Sequence, residues 1–230
     1  MKLTLESVHF TRGNWSLSAH GEFQEGVHLV TGVVGSGKST LAMMIAGITQ
    51  PSSGSFLQEA VSSQMISFQF PEYHVTGSSV GEEIRSWGLD PDLITARVNL
   101  IGKTDIPPLH LSRGELKRLH LECILSGPYD LLILDEPFSS LDCIEKERIC
   151  REISQRQTGI TIIFTHEQAI FPKVNFLWEI KENKLCYLGR VPEALDRWSL
   201  APKIVRDLIA ANRVPSNISP QDIEEAACRT

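Results

Sequence analysis

The chain has 230 residues, 42% of them hydrophobic and 22% charged, with a formal net charge of −6, so it can bury one substantial core with a smaller inserted unit, and its acidic balance argues against nucleic acid as a partner. Five cysteines, an odd number without a C-x-x-C pair, argue against a disulfide framework or a thiolate metal site and fit reduced cytosolic thiols. The longest apolar runs, "LLIL" and "ITIIF", fall well short of the roughly 18 residues of a membrane span, and the alternating N-terminus "MKLTLESVHF" lacks the apolar stretch of a secretion signal.

In chain order, "KLTLESVHF", "WSLSAHGEF" and "VHLVTG" read as strands separated by the turns "TRGN" and "QEG". A helix is predicted from Lys38 to near Gly47, followed by the breaker "TQPSSG" and a short strand in "MISFQF". Between Pro71 and Pro128 the pattern turns helical, around "VGEEIRSWG", "PDLITARVNLIG" and "RGELKRLHLECIL". Then "DLLILDEP" and "GITIIFTH" bring continuous apolar runs of the kind found in strands covered on both faces. The last forty residues read as short helices separated by Pro-Ser-Asn turns. Strands and helices alternating in this way predict an α/β fold with a central, mostly parallel sheet.

The chemistry-bearing motif is Gly32-Val33-Val34-Gly35-Ser36-Gly37-Lys38-Ser39-Thr40, which matches G-x-x-x-x-G-K-[ST] between an apolar strand and a helix. Its glycines let successive N–H groups point into one concavity, and the helix start adds partial positive charge. Lys38 would reach the β- and γ-phosphates of a nucleotide and Ser39 would ligate Mg²⁺. Asp135 and Glu136 close an apolar strand at the edge where α/β sheets place ligands. Asp135 suits Mg²⁺, and Glu136 suits orienting and polarising an attacking water. "LSRGE" offers a hydroxyl and a glycine N–H at a helix start, a second anion site in principle, although alone it reads more readily as an ordinary capped helix. Taken singly, His166 could be a packed strand-end histidine and Gln69 a solvated loop amide.

Together these motifs resemble the nucleotide-binding subunits of ABC transporters over residues 1 to about 190. "FQFPE" resembles the family's Q-loop, "LSRGELKR" its signature motif, "SSLD" its D-loop and "FTHE" its switch histidine. The resemblance implies a P-loop NTPase (RecA-like) core over 1–190. It also implies an N-terminal antiparallel β subdomain, an inserted helical subdomain at about 71–128, and a short helical extension over 191–230. It implies ATP and Mg²⁺ as ligands and Glu136, His166 and Gln69 as catalytic residues. Ser39, Gln69 and Asp135 would hold the metal, with residues 32–40 and Arg12 on the nucleotide. Ser112, Gly114 and Glu115 would address the nucleotide of a second ATPase subunit, identical or different, paired head to tail. The segment "FQFPEYHVTGSSVGEEIRSWG" and the C-terminal stretch further resemble the energy-coupling-factor and cobalt-type importers. That implies a polytopic membrane partner docking near 69–88 and a peripheral position on the cytoplasmic face. Three positions depart from the pattern: Arg12, with Phe10 and Trp15 nearby, stands where an adenine-stacking aromatic is usual, Arg113 replaces the first signature glycine, and His74 stands where that group often has Gln. These departures fit a mixed ATPase pair with one weakened composite site. Rival classes are an ABC ATPase of another transporter type, a soluble one serving translation or repair, and a module that holds ATP without hydrolysing it.

Overall fold

The structure, a computed structural model, describes residues 1–156 and 158–228. Among these, nine strands form a single sheet: β1 (Lys2–Arg12), β2 (Trp15–Gln24), β3 (Gly26–Gly32), β4 (Ser53–Glu59), β5 (Gln64–Ser67), β6 (Leu131–Asp135), β7 (Ile160–Thr165), β8 (Phe176–Lys181) and β9 (Lys184–Arg190). Their spatial order is β4-β1-β2-β9-β8-β3-β7-β6-β5. β8, β3, β7, β6 and β5 run parallel, while β4-β1-β2 and the β8–β9 pair are antiparallel. The parallel and antiparallel parts meet at Ser18 opposite Lys184. The expected α/β class with a mostly parallel core and an antiparallel N-terminal part is therefore present.

The parallel strands are continuous apolar runs because both faces are covered. Every residue of β6 and β7 is buried, and Leu131, Leu132, Ile133 and Leu134 have no exposed surface. Each such side chain contributes about 1.5–3 kcal/mol by transfer out of water. On one face lies α1 (Lys38–Ile45), whose Leu41, Ala42, Met44 and Ile45 pack with Ile133 and Ile162. On the other lie α4 (Arg113–Leu125) and α5 (Cys143–Ser154), with Leu121, Ile124, Ile149 and Ile153 against Leu132, Leu134 and Ile163.

The helical segment contains α2 (Val80–Ser86) and α3 (Pro91–Arg97) and has its own apolar cluster with α4, built on Val80, Ile84, Ile94, Val98, Leu116 and Leu119. α4 belongs to both cores. One face closes the helical cluster and another, through Leu121 and Ile124, joins the main one. The C-terminal helices α6 (Lys203–Ala210) and α7 (Pro220–Cys228) place Val205, Leu208, Ile223 and Ala226 in the main core. Among the described residues the five cysteines form no disulfide, and no helix is long and apolar enough to cross a membrane.

β4, β8, β9 and α5 lie outside the sequence expectation, and "PDLITARVNLIG" is helical only over Pro91–Arg97. β4 is an edge strand with almost every side chain exposed, so no alternation marks it. The β8–β9 turn is Glu182-Asn183, both at positive φ (49° and 59°), the geometry of a two-residue hairpin loop that Asn favours. α5 is capped by Asp142, whose carboxylate accepts from the Glu145 N–H at 2.9 Å.

Candidate functional site

The site follows from strand register. β5, β6, β7 and β3 lie side by side and end together. Ser67 is opposite Leu134, Asp135 opposite Phe164, and Thr31 opposite Thr165. The residues that follow each strand, Gln69, Glu136, His166 and the Gly32–Thr40 loop, therefore emerge along one edge. An open cavity of about 620 Å³ lies there, lined by Arg12, Val34, Gly35, Gly37, Lys38, Ser39, Thr40, Gln69, Glu136 and His166.

The loop's backbone is set for anions. Gly37 has φ +100° and precedes the first turn of α1, leaving its N-terminal N–H groups without side-chain caps. A Cβ on Gly37 would come within 2.7 Å of the Trp15 indole, so glycine also allows that ring to lie against the loop. Lys38, 7% exposed, donates from Nζ to the carbonyls of Gly32 (2.8 Å) and Val33 (3.2 Å), and sits 3.8 Å from Glu136 Oε1. Burial pulls its pKa down, and the carboxylates of Glu136 and Asp135 oppose that shift. The Ser36 hydroxyl is buried without a hydrogen-bond partner among the described residues, beneath Gly32.

Glu136 is 5% exposed and adopts φ +48°, a left-handed conformation that a non-glycine residue holds only when its surroundings fix it. The fixing contacts are its N–H to the Phe164 carbonyl (2.8 Å), the Thr165 hydroxyl to Oε2 (3.0 Å) and His166 Nδ1 to Oε1 (2.7 Å). The strained backbone turns a carboxylate from the end of β6 toward the cavity rather than into the sheet. Asp135, 4% exposed, lies beneath. Burial raises its pKa to about 6, with a hydrogen bond to Ser39 acting the other way. Its Oδ1 is buried without a hydrogen-bond partner among the described residues. A desolvated carboxylate with a spare oxygen beside a serine hydroxyl is a hard-oxygen donor set suited to Mg²⁺, which uses one or two protein ligands together with phosphate oxygens and water. No cluster of three or more His, Cys, Asp or Glu side chains fit for a metal occurs among the described residues.

Ser112, Gly114 and Glu115 do not line this cavity. They form the start of α4, where Ser112 and Arg113 are exposed. Ser112 and Glu115 make a reciprocal capping box: Ser112 Oγ accepts from the Glu115 N–H (3.3 Å), and Glu115 Oε2 accepts from the Ser112 N–H (2.9 Å) and hydroxyl (2.8 Å). Lys103, at 2.5 Å, and Ser112 hold the Glu115 carboxyl down at about 2. Glu115 is thus committed within its own chain, whereas the helix start itself faces outward. A Cβ on Gly114 would lie 2.9 Å from the Ser140 carbonyl, so this segment sits against the "SSLD" turn.

Sequence reasoning missed two contributors, Thr165 and Lys117. Thr165 buttresses Glu136, and its position directly before His166 was its only mark. Trp15, expected as a neighbour of Arg12, supplies the aromatic against the loop, with Phe10 edge-on at 6.2 Å between ring centroids. Lys117, 1% exposed, reaches the carbonyls of Phe68 (2.9 Å) and Gln69 (3.3 Å), and helical periodicity gives no sign of that contact.

The ABC transporter family model matches residues 20–139, just over half of the chain. The energy-coupling factor transporter ATP-binding protein EcfA1 of Thermotoga maritima is 30% identical over 220 residues, covering 86% of this chain and 85% of that one. EcfA2 of the same organism is 27% identical over 232 residues, covering 88% and 86%. Among solved structures, an ATP-binding cassette captured as a dimer after hydrolysis with ADP and phosphate superposes with a TM-score of 0.65 at 15% identity, over 80% of this chain and 96% of that one. That likeness bears on the fold. Phosphate loop, paired acids and histidine on one sheet edge, matched along most of the chain, make this protein a member of the ABC transporter family and one of its ATP-hydrolysing subunits.

Proposed function

We propose that the chain energises an importer of the energy-coupling-factor type, converting ATP to ADP and phosphate at the cytoplasmic face of a membrane and passing the resulting movement to a polytopic partner. The observation that carries the reading is the Lys38–Glu136–His166 constellation at the ends of β3, β6 and β7. The similarity to EcfA1 and EcfA2 over most of the chain supports the importer type.

In this reading the loop N–H groups and Lys38 bind the β- and γ-phosphates. The ammonium exchanges the carbonyls of Gly32 and Val33 for phosphate oxygens, a charge-assisted replacement that favours closure of the loop on the nucleotide. Ser39, Asp135 and Gln69 would hold Mg²⁺, which supplies charge neutralisation of the phosphate oxygens. Glu136 orients the attacking water and accepts its proton at a carboxylate oxygen. His166, more than half exposed on the cavity side and bonded to Glu136, lies where a γ-phosphate would be sensed. Trp15, Phe10 and Arg12 offer aromatic and guanidinium faces for stacking the nucleobase.

The exposed start of α4, Ser112 to Gly114, acts on the nucleotide of a second ATPase subunit, and the exposed Val33 and Val34 (62% and 82%) border the face that subunit would cover. The membrane partner docks near 69–88, where Phe70 (42%) and Tyr73 (71%) present apolar surface.

The test is Glu136→Gln. Turnover is expected to fall by at least ~10²-fold, the scale of positioned-base catalysis, with ATP retained. Near-normal hydrolysis by that variant rejects Glu136 as the base. Co-purification with a polytopic membrane protein, lost on Tyr73→Glu, tests the importer reading. Retention of the partner by that variant counts against the docking face.

A further inference from the structure

The Gln69 loop is held from behind by one helix. Arg113 and Lys117 stand four residues apart on α4 and therefore on one face, and both reach the segment 68–72. Lys117 Nζ donates to the carbonyls of Phe68 (2.9 Å) and Gln69 (3.3 Å). Arg113 places its guanidinium 5.8 Å from the centre of the Phe70 ring, and its Nε lies 3.5 Å from Glu72 Oε1. The Phe68 N–H is fixed too, donating to His74 Nε2 at 3.0 Å, and the His74 ring meets His120 of α4 edge-on at 5.4 Å. Both backbone groups of Phe68 are thus anchored, one directly by α4 and one through His74.

Lysines are rarely buried this deeply, because an ammonium out of water needs acceptors. At 1% exposure Lys117 has two carbonyls and the nearby charges of Asp135, Glu136 and Glu72. Burial brings its pKa down to about 8. Packing alone would be met by an apolar side chain of similar length, so the ammonium is best explained by what it holds.

We infer that Lys117 is a positioning residue for ATP hydrolysis: it fixes the Phe68–Gln69 backbone to α4, so that the Gln69 amide is set against the phosphate and metal site by the same helix that begins at Ser112. The inference rests on the proposed role of Gln69. Arg113, at the exposed end of the same face, reinforces the tie through Phe70 and Glu72, which gives the residue that replaces the first signature glycine a task within its own chain.

The experiment compares Lys117→Met, Lys117→Arg, Gln69→Ala and the Lys117→Met/Gln69→Ala double variant in the full chain, measuring kcat, the KM for ATP and the Mg²⁺ concentration giving half-maximal rate. Lys117→Met should lower kcat by about tenfold or more, within the range for sub-ångström misplacement of a reacting group, and raise the Mg²⁺ requirement while leaving the KM for ATP within about twofold. Lys117→Arg, which keeps the charge and donors, should recover most of the rate. In the Gln69→Ala background Lys117→Met should add little, because the two act as one unit. Unchanged kcat and Mg²⁺ requirement in Lys117→Met, or an undiminished effect in the Gln69→Ala background, overturns the inference. If Gln69→Ala lowers turnover and Lys117→Met does not, this inference alone fails. If Gln69→Ala is itself silent, the proposed role of Gln69 fails and the inference with it. Should Lys117→Met not fold, Lys117→Gln, whose amide can still donate to one carbonyl, takes its place under the same criteria.

Discussion

The strand-end edge and the helical segment of 71–128 solve different problems. At the edge, four parallel strands in register deliver Gln69, Glu136, His166 and the phosphate loop to one line, and the sheet's main core holds them there. The helical segment rests on a small cluster of its own and meets the edge mainly through α4 and the turn at Pro71–His74. A rigid sheet fixes the reacting groups relative to one another. The helical unit has an apolar cluster of its own but shares α4 with the main core, so the Ser112 helix start and, through Lys117, the Gln69 loop are tied to both.

That contrast is testable at several scales. The largest effect should come from the edge itself. Lys38→Met removes the ammonium that faces the phosphates and should lower turnover about 10²–10³-fold, the range for losing one preorganised stabilising donor, with the melting temperature little changed; steady-state hydrolysis and thermal unfolding check both halves of the statement.

Next, truncating a fully buried aliphatic should separate the two cores. Leu134→Ala and Ile84→Ala each remove a residue with no exposed surface, and each should cost about 2–5 kcal/mol. Hydrogen exchange should show Ile84→Ala loosening 80–123 while the β6 and β7 amides stay protected, and Leu134→Ala loosening the edge. Equal loosening everywhere by Ile84→Ala would mean that the helical unit is not energetically distinct.

A smaller effect is expected from acid. His28 is buried in the sheet half, with Nε2 donating to the Gln24 carbonyl (2.8 Å) and Nδ1 accepting from the Trp178 indole (3.0 Å), so it is held neutral. Burial lowers its pKa to about 4. Between pH 6.5 and 4 the unfolded chain binds a proton that the native chain does not. The stability tied to His28 is therefore complete above about 6.5 and is lost on acidification at up to ~1.4 kcal/mol per pH unit. His74 and His120 in the helical half are depressed to about 4 by the same cause and add to the slope. Urea unfolding at pH 7 and pH 5 should show it, and His28→Phe should flatten it. The smallest effect, about 1 kcal/mol, is expected for Ser112→Ala, which removes a helix cap.

How much of this was legible in the sequence follows the same division. "LLILD" and "ITIIF" declared strands covered on both faces, and Lys38, Asp135, Glu136 and His166 declared themselves because phosphate and metal chemistry restricts residue type and position. The left-handed backbone of Glu136 left no mark in the sequence, since only tertiary support holds it. β4 carries no alternation because both of its faces are wet. The turn Glu182-Asn183 was readable in principle, its Asn being the signal. The packing of Val205 and Ile223 into the main core was not, because an amphipathic helix does not say which surface it covers. Lys117 was hidden for the same reason, looking like an ordinary helical lysine until the Gln69 loop is seen to cross it.

The most direct test is the mass of the Glu136→Gln variant in solution, measured by sedimentation with and without ATP, alone and mixed with a second ATPase subunit. A nucleotide shared between the Gly32–Thr40 loop of one chain and the Ser112 helix start of another predicts a pair that forms on adding ATP and fails to form when Ser112 is replaced by arginine. Chains that bind ATP fully yet remain single in every mixture would contradict it.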